Sequence, residues 1–320
     1  MSGQVKRYIK KAISWAGLFF FILAAIMLYV QLSKYPFADI QKALLDIPLS
    51  NIIYSCLASF LGYIALSSYD YLALRYIGRK LTSWKWILVG FIGFSISNNA
   101  GHAVVSGGAV RYRLYTRWRF KASDIVKMVT FSGFTYLFAC FALIVLGYLL
   151  TPSQALGAGS LSSFTTYLVT IVSAIGLLGY FILTLCYKKT IRIKNIEFKI
   201  PTFKMALAQV ILGSIDIIMA ALVLYFALIP FVQIPFDIFI GVFIIAQVLG
   251  VFSQVPGGLG VFEGLFMVIL PGDNNAAYLF GALIAYRLIY YLLPLLLSAL
   301  TLMIYESNLR RRRKLSKGLI

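Results

Sequence analysis

Apolar residues run through this chain in blocks long enough to cross a bilayer, which takes about 20 helical residues. Such blocks lie near 12–32, 50–74, 123–149, 163–187, 203–229 and 276–304, and each predicts a membrane-spanning helix. Two further stretches, 86–121 and 236–271, are longer and are interrupted by small and polar residues. Ser106-Gly107-Gly108 marks the first interruption and Pro256-Gly257-Gly258 the second, 150 residues further on. Irregular backbone at membrane depth survives only inside protein or beside a cavity, so each break predicts a protected site. A shorter segment, 36–49, spaces Ile40, Leu44, Leu45 and Ile47 at helical intervals and predicts an interfacial helix.

Composition narrows the class. With 61% apolar and 12% charged residues and a mean hydropathy of +0.89, the chain is no soluble domain but a polytopic membrane protein. The first apolar block follows Lys6, Arg7, Lys10 and Lys11 with no small-residue cleavage site after it, so it reads as a retained signal anchor. Cys56, Cys140 and Cys186 are far apart and form no disulfide framework, metal knuckle or redox pair. No Walker loop or dinucleotide fingerprint occurs, and neither a cofactor nor a bound metal is expected.

The net charge of +19 would suit nucleic acid, but its placement points elsewhere. Basic residues concentrate at 6–11, 75–85, 111–127, 188–204 and 310–317, which together hold 26 of the 29 Lys and Arg. With both termini in the cytoplasm, all these segments fall inside, the expected positive-inside bias. Nucleic acid is therefore not an expected partner; membrane lipid with an anionic or zwitterionic headgroup is.

The same charges constrain topology. The segments flanking 86–121 are both basic and internal, so 86–121 predicts a hairpin or re-entrant pair of half-helices. By the same reasoning 236–271 enters from the opposite face, between Asp237 and the turn at 271–275. A shift of 150 residues lays 12–32 on 163–187, 50–74 on 203–229, 86–121 on 236–271 and 123–149 on 276–304. Val105/Val255, Gly107/Gly257 and Gly108/Gly258 then coincide. The expected fold is all-α: a single membrane domain, 1–320, made of an inverted-topology repeat. Its halves, about 12–149 and 163–304, would each hold one broken or re-entrant hairpin, followed by a basic cytoplasmic tail, 306–320.

The breaks suggest chemistry. Ser106 would cap a half-helix beginning at Ala109, with Gly107 and Gly108 admitting close approach; Pro256, Gly257 and Gly258 would do likewise before Phe262 and Glu263. Two helix N-termini facing each other would favour an anion such as a lipid phosphate. The competing reading is that these glycines serve helix packing alone. Arg111 would hold a phosphate bidentately or serve as a cytoplasmic charge, the duller role expected for Arg113, Arg117 and Arg119. Arg287, in mid-span, carries a cost of about 2.5–3.5 kcal/mol on insertion scales and needs a partner, Glu263 or Asp216. Its role is either a structural bridge or a headgroup ligand. Asp70 would bridge to Arg75 or Arg79. His102, beside Asn98, Asn99 and Gly101, reads as a hydrogen-bonded structural group, with a proton relay as the alternative. Asp216, Asp70 and His102 are the coupling or counter-ion candidates. Tyr286, Tyr290 and Tyr291 recur beside Arg287 as packing residues with polar ends.

Gly107-Gly108-Ala109-Val110-Arg111, the run Pro256 to Glu263 (PGGLGVFE) and the run Ala285 to Tyr291 (AYRLIYY) resemble, in this order, the lysylphosphatidylglycerol synthetase/flippase (MprF-type) membrane-domain family, and in particular its stand-alone YbhN-type members. The resemblance covers roughly 12–305 and implies a flippase-like fold with broken helices, placed in the bacterial cytoplasmic (inner) membrane. No soluble aminoacyltransferase domain is expected, so the chain is not expected to be an enzyme by itself. Two functions stay open: a lipid translocase, or a non-catalytic scaffold for a partner enzyme of lipid or envelope synthesis. A membrane-embedded transferase is disfavoured by the lack of a paired-carboxylate metal motif.

Overall fold

The computed structural model describes residues 37–100, 103–150, 163–187, 189–193, 196–253, 255–270 and 276–315. The expected first span at 12–32, Gly101 and His102, the outer loop 151–162 and the turn 271–275 lie outside the described residues.

The described residues are mostly helical. In chain order they form α1 (Phe37–Leu45), α2 (Leu49–Tyr76), α3 (Ser83–Ala100), α4 (Ala103–Tyr115) and α5 (Ala122–Leu150). Next come α6 (Ser163–Cys186), a β1–β2 hairpin (Thr190–Ile193 and Ile196–Lys199), α7 (Phe203–Leu228), α8 (Phe236–Phe252) and α9 (Val261–Ile269). The last element, α10 (Ala276–Tyr286), passes through a π-helical turn at Arg287–Leu292 into α11 (Leu293–Leu315). Five helical runs are long and apolar enough to span a membrane: α2, α5, α6 from Phe164, α7, and Ala276–Leu309. The chain is an integral membrane protein.

Local sequence sets the helix limits. Pro48 and Pro235, each at φ close to −60° and extended ψ, precede α2 and α8, where a missing N–H costs nothing. Helix α2 stops where Gly78 takes φ 72° and the Arg79 amide reaches back to the Leu74 carbonyl at 2.9 Å. Thr202 caps α7, its hydroxyl accepting from the Met205 amide at 3.4 Å.

Helices α2 and α7 pack along each other at the centre, and small polar groups tie them across the contact. Ser55 Oγ donates to the Val223 carbonyl at 2.9 Å and Asn51 Nδ2 to the Phe226 carbonyl at 2.8 Å. Buried Gln209 of α7 donates to Thr135 Oγ1 of α5 at 2.8 Å and accepts from Tyr180 of α6 at 2.5 Å. Large apolar side chains such as Phe60, Leu168 and Ile175 remain exposed on the outer faces, as hydrocarbon surroundings require.

Three details are added to the expected elements, and one expectation is corrected. The helical fold carries one small addition, an antiparallel pairing of Thr190–Ile193 with Ile196–Lys199, joined to α2 by Tyr76 Oη donating to the Lys199 carbonyl at 2.7 Å. Within 36–49 the expected short helix is found at Phe37–Leu45; Ala43 is buried against Gly281 of α10, and Ile47 is buried just beyond the helix. The final span widens at Arg287–Leu292, where Pro294 offers no N–H to the Tyr290 carbonyl and so disturbs the regular ladder. Finally, α4 is helical from Ala103, so Ser106 does not cap a half-helix at Ala109.

Candidate functional site

Two helical hairpins define the site. In the first, α3 and α4 run antiparallel, with Gly93 against Arg111 and Ser97 against Gly107. Gly107 lies inside the α4 helix, and its role is space: a Cβ there would overlap Ser97 Oγ and sit 3.0 Å from Arg111 Nη1. At this glycine the packing reading holds and the amide-donor reading falls.

The second hairpin, α8 with α9, keeps its break. Gly257, Gly258 and Gly260 take φ of 61°, 64° and 83°, values at which a side chain is strained, around a short 3₁₀ turn at Pro256–Gly258. Its helix N-terminus is capped in part by the chain itself. Glu263 Oε2 accepts from the Gly260 amide at 2.8 Å, so the chain's own carboxylate occupies the position expected for an external anion.

The tips of the hairpins meet. A Cβ at Gly257 would lie 3.5 Å from the Asn98 carbonyl, and Asn99 Nδ2 donates to the Tyr291 carbonyl at 3.1 Å. Arg287 sits beside this junction, at the start of the π turn. Its Nε donates to Glu263 Oε1 at 2.6 Å, its Nη2 lies 2.5 Å from the same oxygen, and its Nη1 donates to the Gly257 carbonyl at 2.5 Å. The guanidinium also lies over the Tyr291 ring at 4.5 Å and the Phe262 ring at 5.4 Å. Of the two partners expected for Arg287, Glu263 is the one found.

The carbonyls freed by the π turn find donors on other helices. Ser59 Oγ donates to Ile289 at 3.2 Å, Tyr63 Oη to Tyr290 at 3.1 Å, and Asn99 Nδ2 to Tyr291. Both α2 and the first hairpin tip are therefore fastened to the turn that carries Arg287.

A second buried pair lies deeper in the first hairpin. Arg111 Nε donates to Asp70 Oδ1 at 2.9 Å, Nη2 lies 2.8 Å from that oxygen, and Tyr115 Oη donates to Oδ2 at 2.8 Å. Arg111 also lies over the Phe94 ring at 4.4 Å. This corrects the bridge expected from Asp70 to Arg75 or Arg79: Arg75 reaches Tyr71, and Arg79 pairs with Asp124 at 3.6 Å. Asp216 accepts from Tyr69 Oη at 2.9 Å and Tyr290 Oη at 3.5 Å instead of pairing with Arg287. At the basic end, Arg113 and Arg117 share Glu306 of α11. Arg119 takes a left-handed φ of 62° beyond the adjoining turn.

The family model for the lysylphosphatidylglycerol synthase TM region matches residues 14–298. The chain belongs to that family. It is similar to the uncharacterized protein slr0712 of Synechocystis, 32% identical, with 94% of each chain covered. It is also similar to the inner membrane protein YbhN of Escherichia coli, 27% identical over 96% of this chain and 95% of that one. A phosphatidylglycerol lysyltransferase of Staphylococcus xylosus is 27% identical over 92% of this chain, but only 34% of that longer protein is covered.

Tyr69, Tyr115 and Pro294 were not among the expected site residues, and Asn99 was named only as a neighbour of His102. Pro294, inside an apolar span and shortly after an arginine, was the available signal for the π turn. The tyrosines gave none, because their partners lie 45 or more residues away in the chain.

Proposed function

We propose that this chain moves a phospholipid or related phosphate-bearing lipid across the bacterial inner membrane. The observation that carries this reading is the meeting of two hairpin tips at the buried Arg287–Glu263 pair. In the proposed cycle a lipid phosphate replaces the Glu263 carboxylate on Arg287 and on the Gly260 amide. One anion displaces another, so the guanidinium is never left uncompensated at membrane depth. Pro256, Gly257 and Gly258 shape the approach to that point. Arg111, with Asp70 as its resident counter-ion, forms a second station of the same chemistry, and Ser106, Gly107 and Gly108 set how closely α4 packs beside it.

In this reading both termini are cytoplasmic, the two hairpins enter from opposite faces, and one domain built as an inverted repeat rocks about the tips. The chain acts as a carrier, not an enzyme. Family membership supports the lipid assignment, since the lysyltransferase relatives are named for phosphatidylglycerol. The test is reconstitution with fluorescent lipids of several headgroups. Wild-type protein is expected to move phosphate-bearing lipids and the Arg287→Ala variant to lose that movement; equal movement by both removes the proposal.

A second reading, a scaffold for a lipid- or envelope-synthesis enzyme, draws on the exposed Lys189 and Arg192 at the β1 strand. Charge reversal at Arg192 and in 310–314 would then abolish function while Arg287→Ala would not.

A further inference from the structure

Among the described residues, five charged side chains are buried: Asp70, Arg111, Asp216, Glu263 and Arg287. The two arginines are each bound to one acid, which leaves Asp216 without a cation. Asp70 and Glu263 each receive two donors, one of them a guanidinium Nε: Tyr115 Oη is the other at Asp70 and the Gly260 amide the other at Glu263. Asp216 receives two, both from neutral phenols, and the one from Tyr290 is at the limit of hydrogen-bond length. Among the described residues no basic group faces it: α2 presents Tyr63 and Tyr69, α5 presents Tyr136 and Cys140, and the π turn presents Tyr290. Elsewhere around α7, α6 brings Tyr180 to Gln209, α8 has Asp237 in its first turn, and α10 has Tyr278 and Tyr286. An ionised carboxylate in such surroundings lacks what burial of a charge requires.

We propose that Asp216 is a proton-binding site, its carboxyl group neutral while the hairpin tips are in contact. Proton loss creates an anion that the two phenols alone do not satisfy. Tyr290 is one of these phenols and lies on the same π turn as Arg287, so the new charge acts on the element that holds Glu263. Rearrangement of that turn is how Asp216 is linked to the Arg287–Glu263 pair. The transport consequence rests on the function proposed above; the protonation itself does not.

Infrared difference spectroscopy on the full chain in phospholipid nanodiscs tests the site directly. The wild type is expected to show the carbonyl stretch of a protonated carboxylic acid at neutral pH and to lose it as pH rises. Asp216→Asn should remove that band, and Tyr69→Phe, which retains the acid but deletes its shorter hydrogen bond, should shift it. A wild-type spectrum without the band, a band unchanged by both variants, or a spectrum governed by sodium rather than pH overturns the proposal. In lipid reconstitution, Asp216→Asn should flatten a wild-type pH dependence that reaches up to about tenfold per pH unit for a one-proton step. If the wild type moves no lipid at any pH, the transport reading fails while the infrared result still decides the proton site.

Discussion

The two hairpins contain the same Gly-Gly pair at a spacing of 150 residues and use it in opposite ways. In α4 the pair stays inside a regular helix, and Gly107 supplies only room for Ser97 and Arg111. Before α9 the pair leaves the helix at positive φ. The neighbours decide: Pro256 has no N–H and a fixed φ, and Gly260 adds a further flexible point, whereas Ala103-Val104-Val105 and Ala109-Val110 flank the first pair with residues a helix accepts. The ion pairs are reversed as well. The first hairpin contributes the arginine and takes its acid from α2; the second contributes the acid and takes its arginine from the π turn. Equivalent chemistry has been reached from different positions, so the resemblance lies in the contacts and not in the aligned residues.

The largest expected effect comes from breaking either pair. Arg287→Ala and Arg111→Ala each strand a buried carboxylate and should lower stability by about 3–5 kcal/mol, read as thermal unfolding in nanodiscs. A much smaller loss for Arg111 would mark the first pair as more solvated than its burial indicates.

The glycines separate the hairpins more sharply. Gly107→Ala and Gly257→Ala should each cost about 1–3 kcal/mol, the first by overpacking and the second by backbone strain. Adding Ser97→Ala should recover much of the Gly107→Ala loss, because the clash is with Ser97 Oγ. No truncation of a neighbouring side chain should rescue Gly257→Ala. Equal rescue, or none, at both sites would erase the distinction.

Smaller effects follow at the hydroxyl donors. Tyr115→Phe removes a hydrogen bond to a paired acid and should cost about 1–3 kcal/mol in the same unfolding measurement. Glu306→Ala releases Arg113 and Arg117 at the exposed end and should change stability by only about 0.2–1 kcal/mol.

Much of the architecture was legible in the chain. Apolar block length predicted α2, α5, α6 and α7 almost to the residue, because hydrocarbon thickness imposes a helix length and leaves little choice. Arg287 announced itself by cost, and Glu263 was one of two acids able to meet it. What failed was local. Ser106 looks like a cap only if the helix is assumed to break there, and the continuous α4 shows that glycine alone does not interrupt a membrane helix held by a neighbour. Asp70 was misassigned because sequence proximity favoured Arg75 and Arg79, whereas the hairpin brings Arg111 across from 41 residues away. The β-hairpin at 190–199 carried only a weak signal, alternation over four-residue strands.

The exchange of Glu263 for a lipid phosphate is tested most directly by lipid retention. Native mass spectrometry of the wild type, Glu263→Gln and Arg287→Gln, each presented with phosphate-bearing and phosphate-free lipids, compares the resident carboxylate with its proposed replacement. Glu263→Gln keeps an acceptor for the Gly260 amide but frees the charge on Arg287, so it should retain phosphate-bearing lipid more strongly than the wild type. Arg287→Gln should lose that preference. Equal retention by all three proteins, or no preference for phosphate in any, would contradict the account.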